Sequence, residues 1–224
     1  MSDAARQSVL GAIRHHLAAA RAREEMPPAR DQLPAAPEAL PPAEGLEACL
    51  EQFAAKLAAV GGRAWRVRGV KGAIDAAASI LGEAGARRVA VSDAALVGRV
   101  LEGLHGQRED LQLVDRSDRA ALFSAEAGIS TAQHAIAETG SLVLLSSEEQ
   151  HRLVSLVPPL HIALVRTTDL LPTMAEGLRR AAASGPASTI TWITGPSRTA
   201  DIELTLVVGV HGPRALHVVF VDEV

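Results

Sequence analysis

The sequence predicts an α/β domain built on a mostly parallel sheet flanked by helices, with a helical arm ahead of it. Three observations carry that expectation. From Glu44 onward, apolar residues at helical spacing alternate with short β-branched runs, the rhythm of βαβ units. Residues 142–145, L-V-L-L, are apolar without alternation, as in a strand buried on both faces. Aromatic residues make up only 2 % of a chain that is 48 % hydrophobic, so the core must be packed from Ala, Leu, Val and Ile. A length of 224 residues allows one ample core and an appendage, not two full domains.

Residues 5–25 place Leu10, Ile13 and Leu17 at three-and-four spacing among charges. They predict a helix with a thin apolar stripe, suited to lean on the main body or on a second copy of the chain. The proline-dense stretch 27–42 suits neither helix nor central strand and reads as an extended linker. The organisation is therefore an N-terminal helix and linker over 1–43 and an α/β domain over 44–224. Within the domain, 46–60 suits a helix ended by Gly61-Gly62, 64–67 a strand and 70–82 a helix. Residues 87–91 and 111–114 suit strands, with Ser92-Asp93 capping a helix between them that runs to about Leu104. Residues 128–137 read as a helix or an irregular turn leading into the 142–145 strand. Ser147-Glu148-Glu149-Gln150 has the form of a capping box, opening a helix that Pro158 ends. A strand over 160–165, a helix from Thr168-Asp169 to about Ala183, and strands over 190–193 and 216–221 complete the chain.

Composition removes several function classes. A net charge of −4, a pI near 6.1 and no Tyr offer neither a phosphate-backbone footprint nor stacking platforms, so no nucleic-acid partner is expected. Cys49 is the single cysteine, which excludes an internal disulfide and an iron–sulfur cluster held by this chain; any other cofactor is left open. The first residues lack an apolar leader segment, and the longest apolar region, 153–165, is broken by Pro158-Pro159. The expectation is a cytoplasmic protein with no membrane span.

The densest chemistry lies in 194–213, T-G-P-S-R-T-A-D-I-E-L-T-L-V-V-G-V-H-G-P. Asp201 and Gly209 fit the N-cap and C′ positions of a two-turn helix over 202–208. Gly195, Ser197, Arg198 and Thr199 before it suit a carboxylate or phosphate, through exposed N–H groups, hydroxyls and a guanidinium. Asp201 and Glu203 put negative charge in the same place and suit a ligand hydroxyl or a metal, while capping alone also accounts for Asp201. Glu138-Thr139-Gly140-Ser141 forms a second polar block, which reaches the same crevice if its strand neighbours the one before 194. Glu138 suits a general base, or a cap for a backbone N–H, or a partner for Arg198. His211, between two turns, suits a proton shuttle or a carbonyl partner. The candidate catalytic set is Glu138, Asp201 and His211. The candidate binding set is Thr139, Gly140, Ser141, Gly195, Ser197, Arg198, Thr199 and Glu203. His161 and His217 sit in apolar strands and read as core histidines. No H-E-x-x-H, C-x-x-C, G-x-G-x-x-G or P-loop pattern occurs, so no metal is assigned and a nucleotide loop is unsupported. Arg152 and Arg166 lie near strand ends and offer further cations to a crevice.

Three blocks in order, I-A-E-T-G-S-L-V-L-L-S-S (136–147), V-S-L-V-P-P-L-H-I-A-L-V (154–165) and G-P-S-R-T-A-D-I-E-L-T-L-V-V-G-V-H-G-P (195–213), closely resemble the lactate-utilisation protein C family, which carries the LUD domain. The resemblance covers roughly 44–224 and is densest after 128. It implies a fold similar to the superfamily of ribose-phosphate isomerase, glucosamine-phosphate deaminase and CoA-transferases. It also implies a role in oxidising L-lactate to pyruvate alongside two iron–sulfur partner proteins, with a small-molecule ligand on this subunit. By the same kinship Glu138 suits a nucleophile toward an activated acyl group. Ser141 stands where members commonly have Thr, which keeps the hydroxyl. A stand-alone enzyme of the sugar-phosphate or CoA-transferase kind, and a pure assembly subunit, are the competing readings.

Overall fold

The computed structural model describes residues 3–21, 45–115, 118–146, 149, 152–185, 187–200, 206–209 and 212–223. By internal contacts the chain divides into two units, residues 1–41 and 42–224. In the first, helix α1 (Asp3–Arg21) leaves Val9, Leu10 and Ile13 exposed. The expected linker lies outside the described residues.

The second unit begins α2 (Leu46–Ala59), β1 (Arg63–Arg68), α3 (Gly69–Glu83), β2 (Arg88–Val91), α4 (Ala95–Gln107), β3 (Gln112–Leu113) and α5 (Arg119–Leu122). It continues β4 (Ala127–Thr131), β5 (His134–Ile136), β6 (Ser141–Leu145), α6 (Arg152–Leu156), β7 (Leu160–Arg166) and β8 (Leu170–Leu171). It ends α7 (Met174–Ala183), β9 (Ile190–Ile193), β10 (Arg198–Ala200), β11 (Leu206–Val208) and β12 (Ala215–Asp222). Six strands form one sheet in the order β1-β12-β7-β4-β2-β3, and every pairing in it is parallel. A second sheet runs β8-β5-β6-β9, with β6 antiparallel to both of its neighbours, and β10 and β11 form a separate antiparallel ribbon.

The alternation of side chains along the strands assembles these pieces into layers. Ile162 and Leu164 of β7 and Val219 and Val221 of β12 face one side, where they join Ala77, Ile80 and Leu81 of α3 and Val97, Val100 and Leu104 of α4. Ala163 and Val165, with Val218 and Phe220, join Phe53 and Leu57 of α2 and Leu142 and Leu144 of the smaller sheet. Phe53 and Phe220 meet edge to face, their rings 4.9 Å apart. The other two apolar residues of β6, Val143 and Leu145, join Ile136 and Ala181, so α7 covers the smaller sheet from its far side. The unbroken L-V-L-L run is thus buried on both faces, as its pattern requires.

Four local expectations differ from the structure. Residues 128–137 are strands: Gly128, Ile129 and Ser130 pair with β7, and Ala135 and Ile136 with β6 and β8. The helix expected from Thr168-Asp169 begins instead at Met174, because Leu170 and Leu171 are drawn into the β5 edge and Thr173 caps α7 by accepting the Glu176 N–H at 3.2 Å. Residues 206–208 are strand, not helix, paired with Arg198, Thr199 and Ala200. Helix α4 has Ala94 at its N-cap without a side-chain cap, and Ser92, two residues earlier, is buried. Of the expected capping box, Ser147, Glu148 and Gln150 lie outside the described residues.

Candidate functional site

β6 and β9 are neighbours, with Leu142 opposite Ile193, so the start of one strand meets the end of the other. The polar blocks around 138–141 and 194–198 therefore meet here, across an antiparallel pair of the smaller sheet and not within the parallel one. Thr139 donates its hydroxyl to Ser141 Oγ at 2.8 Å, and the Ser141 and Thr194 hydroxyls lie 2.7 Å apart. Ser141 is 1 % exposed, so this chain of hydroxyls satisfies a buried polar group as well as joining the strands. Gly140 has φ +67°, and a Cβ there would lie 2.7 Å from Leu57 N. Only glycine lets this turn rest against the last turn of α2. Gly195, at φ +92°, lies as closely against Val60.

Two charged candidates serve helix ends. The Glu138 carboxylate accepts the Met174 N–H at 2.8 Å, placing negative charge at the start of α7. Arg198 Nη2 donates to the Val60 carbonyl at 2.6 Å, at the C-cap of α2. Among the described residues they form no ion pair with each other. The Ser197 backbone closes the loop, donating to Pro213 O at 2.8 Å and accepting from Gly209 N at 2.9 Å. Thr199 pairs with Val207 in the β10–β11 ribbon. Asp201, Glu203 and His211 lie outside the described residues.

Beside these blocks is a cavity of about 180 Å³ lined by Ser155, His161, Thr191, Trp192, Thr194, Gly195 and Ser197 among others. His161 is fully buried in β7, with Nε2 2.9 Å from Ser130 Oγ on β4. Hydroxyls and an imidazole can hold a hydroxyl-bearing molecule and exchange a proton with it. Among the described lining residues there is no Lys or Arg to meet an anion.

A second polar group escapes sequence reading. Glu149 is 4 % exposed; its carboxylate accepts the Thr131 N–H at 2.9 Å and Gln133 Nε2 at 3.1 Å, and it also bonds the Thr131 hydroxyl. Gln133 Oε1 in turn accepts the Leu145 N–H at 2.6 Å. The partners are 16 to 18 residues away, so local pattern assigns Glu149 to a helix start, while the fold uses it to tie β4 to β6. Cys49 is buried, which pushes its thiol pKa up and leaves it unreactive. Among the described residues no three His, Cys, Asp or Glu side chains are grouped to hold a metal, and no helix is long and apolar enough to cross a membrane.

Comparison with known proteins agrees with this architecture. Residues 50–221 match the model of the LUD domain. Lactate utilization protein C of Halalkalibacterium halodurans is 42 % identical over 126 residues, covering 52 % of this chain and 55 % of the relative. The Bacillus subtilis protein of the same name is 42 % identical over 104 residues, covering 44 % and 43 %. The chain spans about half the length of the curated relatives it matches. A crystal structure of a DUF162 family protein from Deinococcus radiodurans aligns with a TM-score of 0.57 at 28 % identity, covering 79 % of this chain and 98 % of that one. The match to the family model extends over most of the α/β unit and both polar blocks, and the chain belongs to the LUD domain family.

Proposed function

We propose that this chain is a component of an L-lactate utilisation system, acting in the oxidation of lactate to pyruvate with iron–sulfur partner proteins and holding a small hydroxy-acid or anionic ligand. The observation that carries the reading is the shared name of its relatives, Lactate utilization protein C, at about 40 % identity over roughly half of the chain. The division of labour follows from the cysteine count: a cluster needs several thiolates and this chain has one, so the iron–sulfur clusters belong to the partners. We place the system in the cytoplasm and assign the exposed Val9, Leu10 and Ile13 of α1 to contact with another subunit. The layered parallel sheet is in keeping with kinship to ribose-phosphate isomerase, glucosamine-phosphate deaminase and CoA-transferases, in which a stand-alone reaction is the competing outcome. Glu138, Asp201 and His211 are the side chains on which catalysis by this chain would rest.

Deletion of the gene in its host tests the role. Cells lacking the chain should fail to grow on L-lactate, grow normally on pyruvate, and recover when the full chain is restored. Normal growth of the deletion strain on L-lactate would refute the reading. Glu138→Gln, Asp201→Asn and His211→Asn, each restored separately, distinguish catalysis from assembly. Loss of growth with retained protein level and melting temperature identifies a chemical role, and full growth with all three leaves assembly.

A further inference from the structure

The parallel sheet has a crevice apart from the cavity beside Thr194. The chain leaves β2 through α4 toward β3 on one side, while β4 lies on the other and leads on to β7. Such a reversal opens a gap at the carboxyl ends of the strands, the usual ligand position on open α/β sheets. A cavity of about 280 Å³ occupies this place, lined by Ala94, Ala95, Leu96 and Arg99 of the α4 start, Thr131 and Gln133 after β4, and Arg166 with Asp169 after β7. Its volume suits a ligand of a few heavy atoms.

The unspent hydrogen-bonding capacity of the wall specifies that ligand. Gln133 uses its carbonyl on Leu145 N and one amide hydrogen on Glu149, which leaves one N–H. The Thr131 hydroxyl, bonded to Glu149, keeps oxygen lone pairs for an incoming O–H. Arg166 is held by Asp169 through Nε at 2.6 Å and Nη2 at 3.3 Å, so that pair is close to neutral. Arg99 is exposed and makes no hydrogen bond or ion pair among the described residues. Buried Glu149 stands behind Thr131 and Gln133 and disfavours a second negative charge on that side. We infer that this crevice binds a small hydroxy-carboxylate, with the carboxylate on Arg99 and the hydroxyl held between Thr131, to which it donates, and the free Gln133 N–H. Ala94, the N-cap of α4, offers no side-chain acceptor to the first turn of that helix, which lies on the anion side. A singly charged carboxylate fits this wall better than a phosphate dianion does, because only Arg99 is an unshared cation among the described lining residues.

The inference rests on the lactate reading for its choice of probe. The full-length chain is titrated by calorimetry with L-lactate, propionate and inorganic phosphate, and the titrations are repeated for Arg99→Ala and, as a steric block, Leu96→Trp. Saturable L-lactate binding is expected, at least tenfold weaker for propionate, which lacks the hydroxyl, and at least tenfold weaker in either variant, with melting temperatures confirming that both fold. Absence of L-lactate binding, equal affinity in Arg99→Ala, phosphate binding tighter than lactate, or loss of binding through Arg198→Ala instead would overturn the assignment. The two readings separate cleanly. Binding without a growth defect on deletion removes the pathway role and keeps the site, whereas a growth defect without binding removes the site and keeps the role.

Discussion

Replacing Gly140 by alanine should destabilise the fold strongly through backbone strain and close packing alone. The residue holds φ +67°, where an L side chain costs about 1–2 kcal/mol. Its Cβ would lie 2.7 Å from Leu57 N, 2.9 Å from Lys56 Cβ and 3.0 Å from the Lys56 carbonyl carbon. Two of these are backbone atoms of α2, so relief requires shifting a helix whose Leu57 and Phe53 are fully buried. Overpacking of that kind costs about 1–3 kcal/mol. The sum is a loss of about 2–5 kcal/mol, read as a lower urea midpoint at unchanged m-value. Gly85, at φ +63° with open space within 4 Å of where a methyl would stand, provides the comparison: alanine there should show the backbone cost alone. A Gly140→Ala midpoint no lower than that of Gly85→Ala would refute the close-packing account of the E-T-G-S turn.

Glu149→Ala should cost about 2–4 kcal/mol in the same assay, since it strands the Thr131 N–H and a Gln133 N–H beside a buried void; a change under about 0.5 kcal/mol would contradict the β4-to-β6 tie. Glu126, whose carboxylate accepts the Arg87 and Arg88 N–H groups and pairs with Arg88, is pulled down to about 2. Its folded-state pKa is depressed, so its contribution is complete above about 4.5 and is lost as pH falls toward 2, and Glu126→Gln should flatten acid unfolding in that window. His217 accepts the Trp65 Nε1–H at 3.1 Å, and burial, with Arg63 adding, holds its pKa below 6.5. The unfolded chain binds that proton more readily, so stability should decline as pH drops below about 6.5, and His217→Gln should remove that part of the slope.

The βαβ rhythm through Val114 was legible because each of the α3 and α4 segments carries a clean apolar stripe and β2 between them is a short β-branched run. The doubly buried L-V-L-L was legible for the same reason: no alternation means no solvent face. Gly128, Ser130 and His134 hid the neighbouring strands, since they lack the apolar bulk by which buried strands are recognised. Gly128 is small because a Cβ would collide with the Val154 carbonyl oxygen, and Ser130 is polar because it bonds His161. The α7 start was written in Thr173-Met174-Ala175-Glu176, a better capping signal than Thr168-Asp169, but the pairing of Leu170 and Leu171 with β5 is what decides between them. Residues 206–208 illustrate the ambiguity of short apolar runs, which only a pairing partner such as β10 decides. At the candidate site, the two polar blocks singled out in the sequence do stand on neighbouring strands, but the helix ends engaged by Glu138 and Arg198 lie 36 and 138 residues away, beyond any local pattern.

The most direct test of the central claim is L-lactate-dependent reduction of an artificial electron acceptor in extracts of the deletion strain, measured as purified full-length chain is added back. The account predicts negligible activity without the chain and saturable restoration with it, while extracts lacking the iron–sulfur partners stay inactive at any amount added. Undiminished activity without the chain, or lactate oxidation by the purified chain alone, would contradict it.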